Sequence, residues 1–397
     1  MELRSLPEAI KSIMQTRGWS QARLARELGM SEDWVSKVKR GERDPSIGKM
    51  ARLLTGIGWE VVIRPKRETS PVKRRDFVAA AASVMFVPSP KVGPYEDPAN
   101  VRELARRVSS ARQEHGGTTI AASAMRHVRR IESAVAGRDG QLQEAASELA
   151  VEAVWTLTDA HYFDAGENVG RLALELAKLS TSADAQSRAY SALTAINVER
   201  GRADRALTYA REGVRLPEVS EAQHAWMRIR KARALALVRG QQHTARDELA
   251  GIQEPLRHTQ GFSGQSPFDV ADMIGNVGKT LNGLGLHADA HTTLDEAVTL
   301  LGASSPNPQS HFLAQQVIAA LRMSHVSLAA NHMLALARVA PLVNSRRLDE
   351  YLRHVLAESA TWATVPEVRD ARNQLKALIL ADSHRSGSEK PAPATGP

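Results

Sequence analysis

The stretch that most restricts how this chain can fold is residues 19–40, WSQARLARELGMSEDWVSKVKR. Ser20 is suited to capping a helix N-terminus, and Ala22, Leu24, Ala25 and Leu28 follow on one face at helical spacing. Gly29 ends that helix, because glycine enters the left-handed conformation without a Cβ penalty. Ser31 can cap a second helix whose Val35 and Val38 return to the same small core, while Ser36, Lys37, Lys39 and Arg40 point elsewhere. The result is helix, three-residue turn, helix, with a polar and basic outer face on the second helix. The DNA major groove accepts one such helix, read through the side chains of its N-terminal half.

Ser20, Gln21, Leu24, Ala25, Gly29, Ser31, Val35, Ser36, Gly41, Pro45 and Ser46 also stand at the spacing of the Cro/C1-type helix-turn-helix, the xenobiotic-response-element family. The resemblance covers residues 6–64. It implies double-stranded DNA as partner, with Gln21 and Ser31 at the helix starts, Gln21 anchoring a phosphate. Glu32, Asp33, Ser36 and Lys37 then face base edges, and Lys39, Arg40 and Arg43 face phosphates. Glu32 and Asp33 either read cytosine amino groups or stabilise the helix N-terminus electrostatically. Trp34 either touches a thymine methyl or closes the small core. The family expectation is also a homodimer, since one recognition helix reads only a few base pairs, and the repeat domain is an alternative dimerising surface to the strand-like residues 59–64. Residues 58–64, GWEVVIR, depart from the five-helix pattern by alternating like a strand. They are similar to antitoxin-like members in which such a strand pairs with its twin across a dimer.

Charge supports the same reading by its placement. Of the formal net charge of +8, residues 1–75 carry all: 17 Lys and Arg against 9 Asp and Glu, with the remaining 35 of each sign balanced. A basic N-terminal domain of residues 1–65 on a neutral body suits attraction to phosphates. The chain has no cysteine, which removes disulfides and thiolate metal sites and fits a reducing bacterial cytoplasm. No apolar run approaches the roughly 20 residues a membrane span needs.

Residues 66–100 read as a linker. Its residues 73–87 hold two arginines and an alanine-rich run, expected to form a short docked helix rather than an export signal. Pro88, Pro90, Pro94 and Pro98 then favour an extended connector. Residues 101–382 are rich in Ala, Leu, Arg and Glu, and a faint repeat pairs a small residue with an alanine five positions on: Ala160/Ala165, Gly201/Ala206, Gly240/Ala245, Gly285/Ala290 and His325/Ala330. The pattern resembles tetratricopeptide hairpins, whose apolar faces are buried only by stacking, and implies an all-α chain ending in an α-solenoid with a concave face. Residues 383–397 are expected to be disordered.

Enzyme chemistry finds little support. The stretch Gly275 to Thr280 lacks the first glycine of a phosphate loop, Met273 standing there, and sits inside a helical pattern. His287 and His291 are four apart without a third ligand, so no metal or cofactor is expected. The reading is a non-enzymatic transcriptional regulator whose repeats sense a ligand, a signalling peptide or protein. The alternatives are a repeat scaffold tethered to DNA and a toxin's antitoxin-like partner. On the expected inner helices, residues 148–160, 187–200, 221–239 and 268–284, the candidate ligand residues are Asn197, Asn276 and Asn282 for a peptide backbone and Arg228, Arg230 and Lys279 for a carboxylate. The alternative role for Asn282, near its helix end, is to satisfy a neighbouring turn.

Overall fold

The structure is a computed structural model that describes residues 6–40, 42, 53–54, 59–65, 82–88, 93–135, 139–258 and 266–388. The chain divides into two compact units, Met1–Asp97 and Pro98–Pro397. In the first, α1 (Leu6–Arg17), α2 (Gln21–Glu27) and α3 (Glu32–Arg40) follow the sequence signals closely. Ser20 Oγ accepts the Arg23 N–H at 3.2 Å, and Ser31 Oγ accepts that of Trp34 at 3.2 Å. Gly29 has φ +63°, which lets Met30 N–H donate back to Ala25 O at 2.9 Å. Ile10, Ile13, Leu24, Trp34, Val35, Val38 and Leu54 are buried together. The expected fourth helix lies outside the described residues apart from Leu53 and Leu54.

Two expectations for the following segment are corrected. The strand β1 (Trp59–Pro65) does not depend on a twin, because it pairs antiparallel with β2 (Ala82–Pro88) of the same chain, Val62 opposite Met85 and Trp59 opposite Pro88. The second half of the expected linker helix is therefore extended. Ser83-Val84-Met85-Phe86-Val87 is β-branched and aromatic enough to serve as a strand, and pairing satisfies backbone groups that a lone β1 would leave open.

The second unit consists of seven helical hairpins among the described residues. They are α4 (Pro98–His115) with α5 (Gly117–Val135), α6 (Gly140–Asp159) with α7 (Phe163–Ser180), α8 (Ala183–Glu199) with α9 (Ala203–Val214), and α10 (Glu221–Ala236) with α11 (Gln242–His258). Then follow α12 (Pro267–Gly283) with α13 (His287–Leu301), α14 (Pro306–Arg322) with α15 (Val326–Val339), and α16 (Arg346–Glu358) with α17 (Pro366–Ser388). The last helix runs past the expected boundary at 382, since nothing before Pro391 forbids it; residues 389–397 lie outside the described residues. Apolar side chains of successive inner helices merge into shared cores, such as Val198, Ile229, Met273, Val277 and Leu281.

The repeat is real, but its register is sharper than the sequence pattern. A residue with positive φ turns each of five hairpins: His161, Gly201, Gly240, Gly285 and Ser324. Five positions on stands a buried small residue: Gly166, Ala206, Ala245, Ala290 and Ala329. Ala160/Ala165 and His325/Ala330 are thus each displaced by one, because the left-handed position in those copies is taken by His161 and Ser324 rather than glycine. At the first, a Cβ on Gly166 would come within 2.6 Å of Ile196 Cδ1.

The solenoid is not open, as a concave groove would require. Its first hairpins meet its last: α14 packs on α4 and α16 on α6. Asn344 N–H donates to His115 O at 2.8 Å, Thr118 N–H donates to Asn344 O at 3.1 Å, and Asn307 Nδ2 donates to Arg112 O at 3.0 Å. The seam is held by Asp159, which is fully buried at the end of α6. Its carboxylate accepts from Gly117 N–H at 2.5 Å, Ser345 Oγ at 2.8 Å and Asn307 Nδ2 at 3.3 Å, and pairs with Arg347 at 3.2 Å. Gly117 fits only without a side chain, since a Cβ would stand 2.4 Å from Thr156 O. We predict that Asp159→Ala, which strands a buried guanidinium and three polar donors, costs about 3–5 kcal/mol in urea unfolding. Asp159→Asn should cost less because an acceptor remains.

Candidate functional site

Two surfaces carry candidate chemistry, one in each unit. On α3 the buried face is Trp34, Val35 and Val38, so Trp34 closes the core and the thymine alternative is set aside. Glu32, Asp33 and Arg40 are exposed, and Ser36, Lys37 and Lys39 are partly so. Polar pairs run along this face: Lys37 Nζ to Asp33 Oδ2 at 2.8 Å, Arg40 to Ser36 Oγ at 2.7 Å, and Arg40 to both Glu42 carboxylate oxygens at 2.7 and 2.9 Å. Such exposed pairs contribute little to stability, which leaves their cations available to a stronger anion. Gln21 Nε2 donates to Glu32 O at 3.3 Å and so joins the starts of α2 and α3. Arg43 lies outside the described residues.

In the second unit the inner helices line a partly open cavity of about 400 Å³. It is lined along stripes spaced three and four residues apart: Gln223, Trp226, Arg230 and Arg233 on α10, and Asp269, Asp272, Asn276 and Lys279 on α12. Such spacing keeps one helix face toward the cavity while the remaining faces pack. The lining cations are Arg112, Arg188, Arg230, Arg233, Lys279 and Arg347, against the carboxylates Glu152, Glu199, Asp269 and Asp272.

Most of these charges are matched. Arg112 lies 3.5 Å from Glu152, Arg188 3.5 Å from Glu148, and Arg347 3.2 Å from Asp159. Glu199 serves two cations, Arg233 at 2.7 Å and Lys279 at 3.8 Å. Burial alone would raise the Glu199 carboxyl, but Arg233 and Lys279 hold it well below the usual carboxylate range. Burial, reinforced by Arg233, pushes the Lys279 ammonium well below its ordinary value, and its Nζ lies 5.4 Å from the Tyr351 ring. Burial and nearby Glu199 push the Tyr351 phenol up to about 12. His311 is pushed well below its ordinary value by burial and by Arg347, whose NH2 lies 3.1 Å from the ring Nδ1, as a neutral acceptor requires.

Of the expected ligand residues, the structure brings Asn276, Lys279 and Arg230 to the cavity. Asn276 Oδ1 accepts from Arg230 at 2.9 Å while its Nδ2 donates to Asp272 O at 2.7 Å. The other three are not among the lining residues. Asn197 is fully buried and donates to Leu193 O at 2.9 Å. Arg228 sits two positions from Arg230, on a different face of α10, and pairs with Glu248 at 3.0 Å. Asn282 donates to Gln315 Oε1 at 3.0 Å and meets His287 Nδ1 at 2.7 Å, the turn-satisfying alternative. Of the residues not anticipated, Trp226 and Arg233 lie on these polar stripes, the signal that would have found them, whereas Trp155, Glu199, His311 and Arg347 come from four other helices. His291 meets His332 at 2.8 Å, and no group of three metal-ligating side chains occurs among the described residues.

Residues 8–62 match the family model described as a helix-turn-helix domain. The segment is a Cro/C1-type helix-turn-helix domain. The HTH-type transcriptional regulator SutR of Escherichia coli (strain K12) is 30% identical over 70 residues, 17% of this chain and 39% of SutR, so the chain spans about two fifths of that relative's length. A crystal structure of Bacillus thuringiensis PlcR in complex with the peptide PapR7 and DNA is similar at a TM-score of 0.38 and 11% identity, over 94% of this chain and 99% of that one. The Rap protein complexed with competence and sporulation factor gives 0.42 and 11%, over 94% and 100%. No helix among the described residues is long and apolar enough to cross a membrane.

A pH dependence follows from the cavity. His311 is held below its unfolded pKa, so between the two values the unfolded chain binds the extra proton and stability rises with pH. His127, lowered to about 4 by burial and by Arg130, acts in the same sense. Urea midpoints should therefore fall as pH drops from about 7 to 5, and His311→Gln should flatten that slope by up to about 1.4 kcal/mol per pH unit. An unchanged slope in the variant would contradict a neutral His311.

Proposed function

We propose that the chain is a transcriptional regulator that reads double-stranded DNA as a homodimer through α3 and receives its signal in the cavity of the hairpin unit. The observation that carries it is α3 itself, a helix in the helix-turn-helix domain whose apolar side is spent on the core and whose other side offers Glu32, Asp33, Ser36, Lys37 and Lys39 to solvent. With Gln21 and Ser31 at the helix starts and Arg40 and Arg43 beyond the base-reading positions, these residues match the family's arrangement of base and phosphate contacts. Dimerisation is proposed from the short reach of one recognition helix, not from β1, whose partner lies in its own chain. A cavity lined by buried charges gives the hairpin unit a place for a signalling ligand, a peptide or other partner.

The test is fluorescence anisotropy on the DNA selected by the full-length protein from a random pool, with random DNA as control. Lys37→Ala should lose about 1–3 kcal/mol on the selected site and relax its preference, whereas Lys39→Ala should weaken both DNAs alike and reduce the salt slope by about one. Equal losses on selected and random DNA for Lys37→Ala would remove it from base readout. A 1:1 protein-to-site stoichiometry in light scattering would rule out the dimer.

A further inference from the structure

Among the six cations lining the cavity, Arg230 stands apart. Each of the others has a carboxylate oxygen within 4 Å, and Arg230 has none among the described residues. It is nevertheless buried, with 5% of its surface exposed. Its Nε donates to Ser191 Oγ at 3.2 Å and its NH1 to Asn276 Oδ1 at 2.9 Å, both neutral acceptors, while NH2 has no acceptor among the described residues. The indole rings of Trp155 and Trp226 lie 5.1 and 4.8 Å from its Cζ. A buried ion without a counter-ion is costly, and its guanidinium is drawn down to about 10, by burial first and by neighbouring Arg233 and Arg347 against Asp272 and Glu199. Lys279 is only partly matched, sharing Glu199 with Arg233. Nε of Arg112, Arg188 and Arg347 is also buried without an acceptor. The wall is thus rich in donors, and the shortage of negative charge is local to Arg230, since Glu148, Glu152, Asp159, Glu199, Asp269 and Asp272 together balance the six cations.

We propose that this cavity receives a single carboxylate on Arg230 and Lys279, carried by a ligand whose apolar part lies against Trp155 and Trp226. The proposal rests on the cavity being the signal site. A guanidinium presents N–H groups in a planar fork that matches a carboxylate. Local pairing selects among anions: one carboxylate gives Arg230 the counter-ion it lacks within 4 Å, whereas a phosphate ester near −2 would be set against Glu199 and Asp272 on the same wall. Two sources share this chemistry, the C-terminus of a short peptide and a free organic acid with an aromatic or aliphatic body.

The experiment uses the full-length protein and the fluorescence of the tryptophans beside Arg230, titrated at matched ionic strength with phenylacetate, N-acetyl-tetraalanine, its C-terminal amide, and inorganic phosphate. A carboxylate probe should give a saturable change in the wild type, weakened about tenfold or more in Arg230→Gln and unchanged in Arg228→Gln, whose side chain pairs elsewhere. Tighter binding of the acid peptide than of phenylacetate assigns the site to a peptide terminus, and the reverse order assigns it to an organic acid. Binding of the amide as tightly as the acid, of phosphate more tightly than either carboxylate, or of no carboxylate below the concentration at which chloride has the same effect overturns the proposal. So does equal binding by wild type and Arg230→Gln. Should Arg230→Gln fail to fold by circular dichroism, Lys279→Met must show the same loss. Selected DNA is titrated in parallel: a carboxylate failure with intact DNA binding refutes this site alone, whereas loss of DNA preference would refute the regulator reading.

Discussion

A carboxylate cannot lie in a protein interior without partners, and Asp159, with no exposed surface, obtains its partners from three separate parts of the chain. Gly117 comes from the first hairpin, Asn307 from the sixth, Ser345 and Arg347 from the turn into and the start of the seventh. Satisfying that one group therefore brings the ends of the repeat array together. What would otherwise be an open groove becomes a partly open pocket of about 400 Å³, lined by the polar stripes of the inner helices. Low dielectric and mutual proximity then set the protonation of Lys279, His311 and Tyr351.

What was legible in the sequence divides along the range of the interactions involved. The helix-turn-helix is specified within about twenty residues by capping serines, a left-handed glycine and apolar spacing, each acting on its own neighbours. The hairpins were legible in period but shifted in register at two copies, because His161 and Ser324 hold a conformation that composition assigns to glycine. The partner of β1 was missed: an alanine-rich run reads as helix until a strand just upstream, with Val62 opposite Met85, offers it a ladder. Ring closure was not legible at all, since Asp159 meets partners 148 and 186 positions away with no local trace of the pairing.

The candidate ligand residues fall between these extremes. Choosing asparagines for their chemistry found Asn276 but also Asn197 and Asn282, which satisfy backbone and turn groups inside the hairpins. Position on the helix was the better guide. Arg230 and Arg228 are the same residue type two places apart, yet one faces the cavity between two indoles and the other pairs with Glu248 on the adjacent helix α11. The two units also hold charge differently: the α3 face has exposed pairs that water and salt can exchange, while pairs of the cavity such as Arg233 with Glu199 are largely buried and screened less.

Linear repeat arrays gain stability hairpin by hairpin, and their ends can fray while the middle persists. A ring has no ends of that kind. With α4 and α5 pinned to α14 and α16 through Asp159 and Asn344, losing the seam exposes both terminal hairpins at once, and the seam cannot form until some two hundred intervening residues are in place. The hairpin unit is accordingly expected to gain and lose its structure as one cooperative body, late in folding and without partly unravelled forms, a behaviour more typical of a compact domain than of a solenoid.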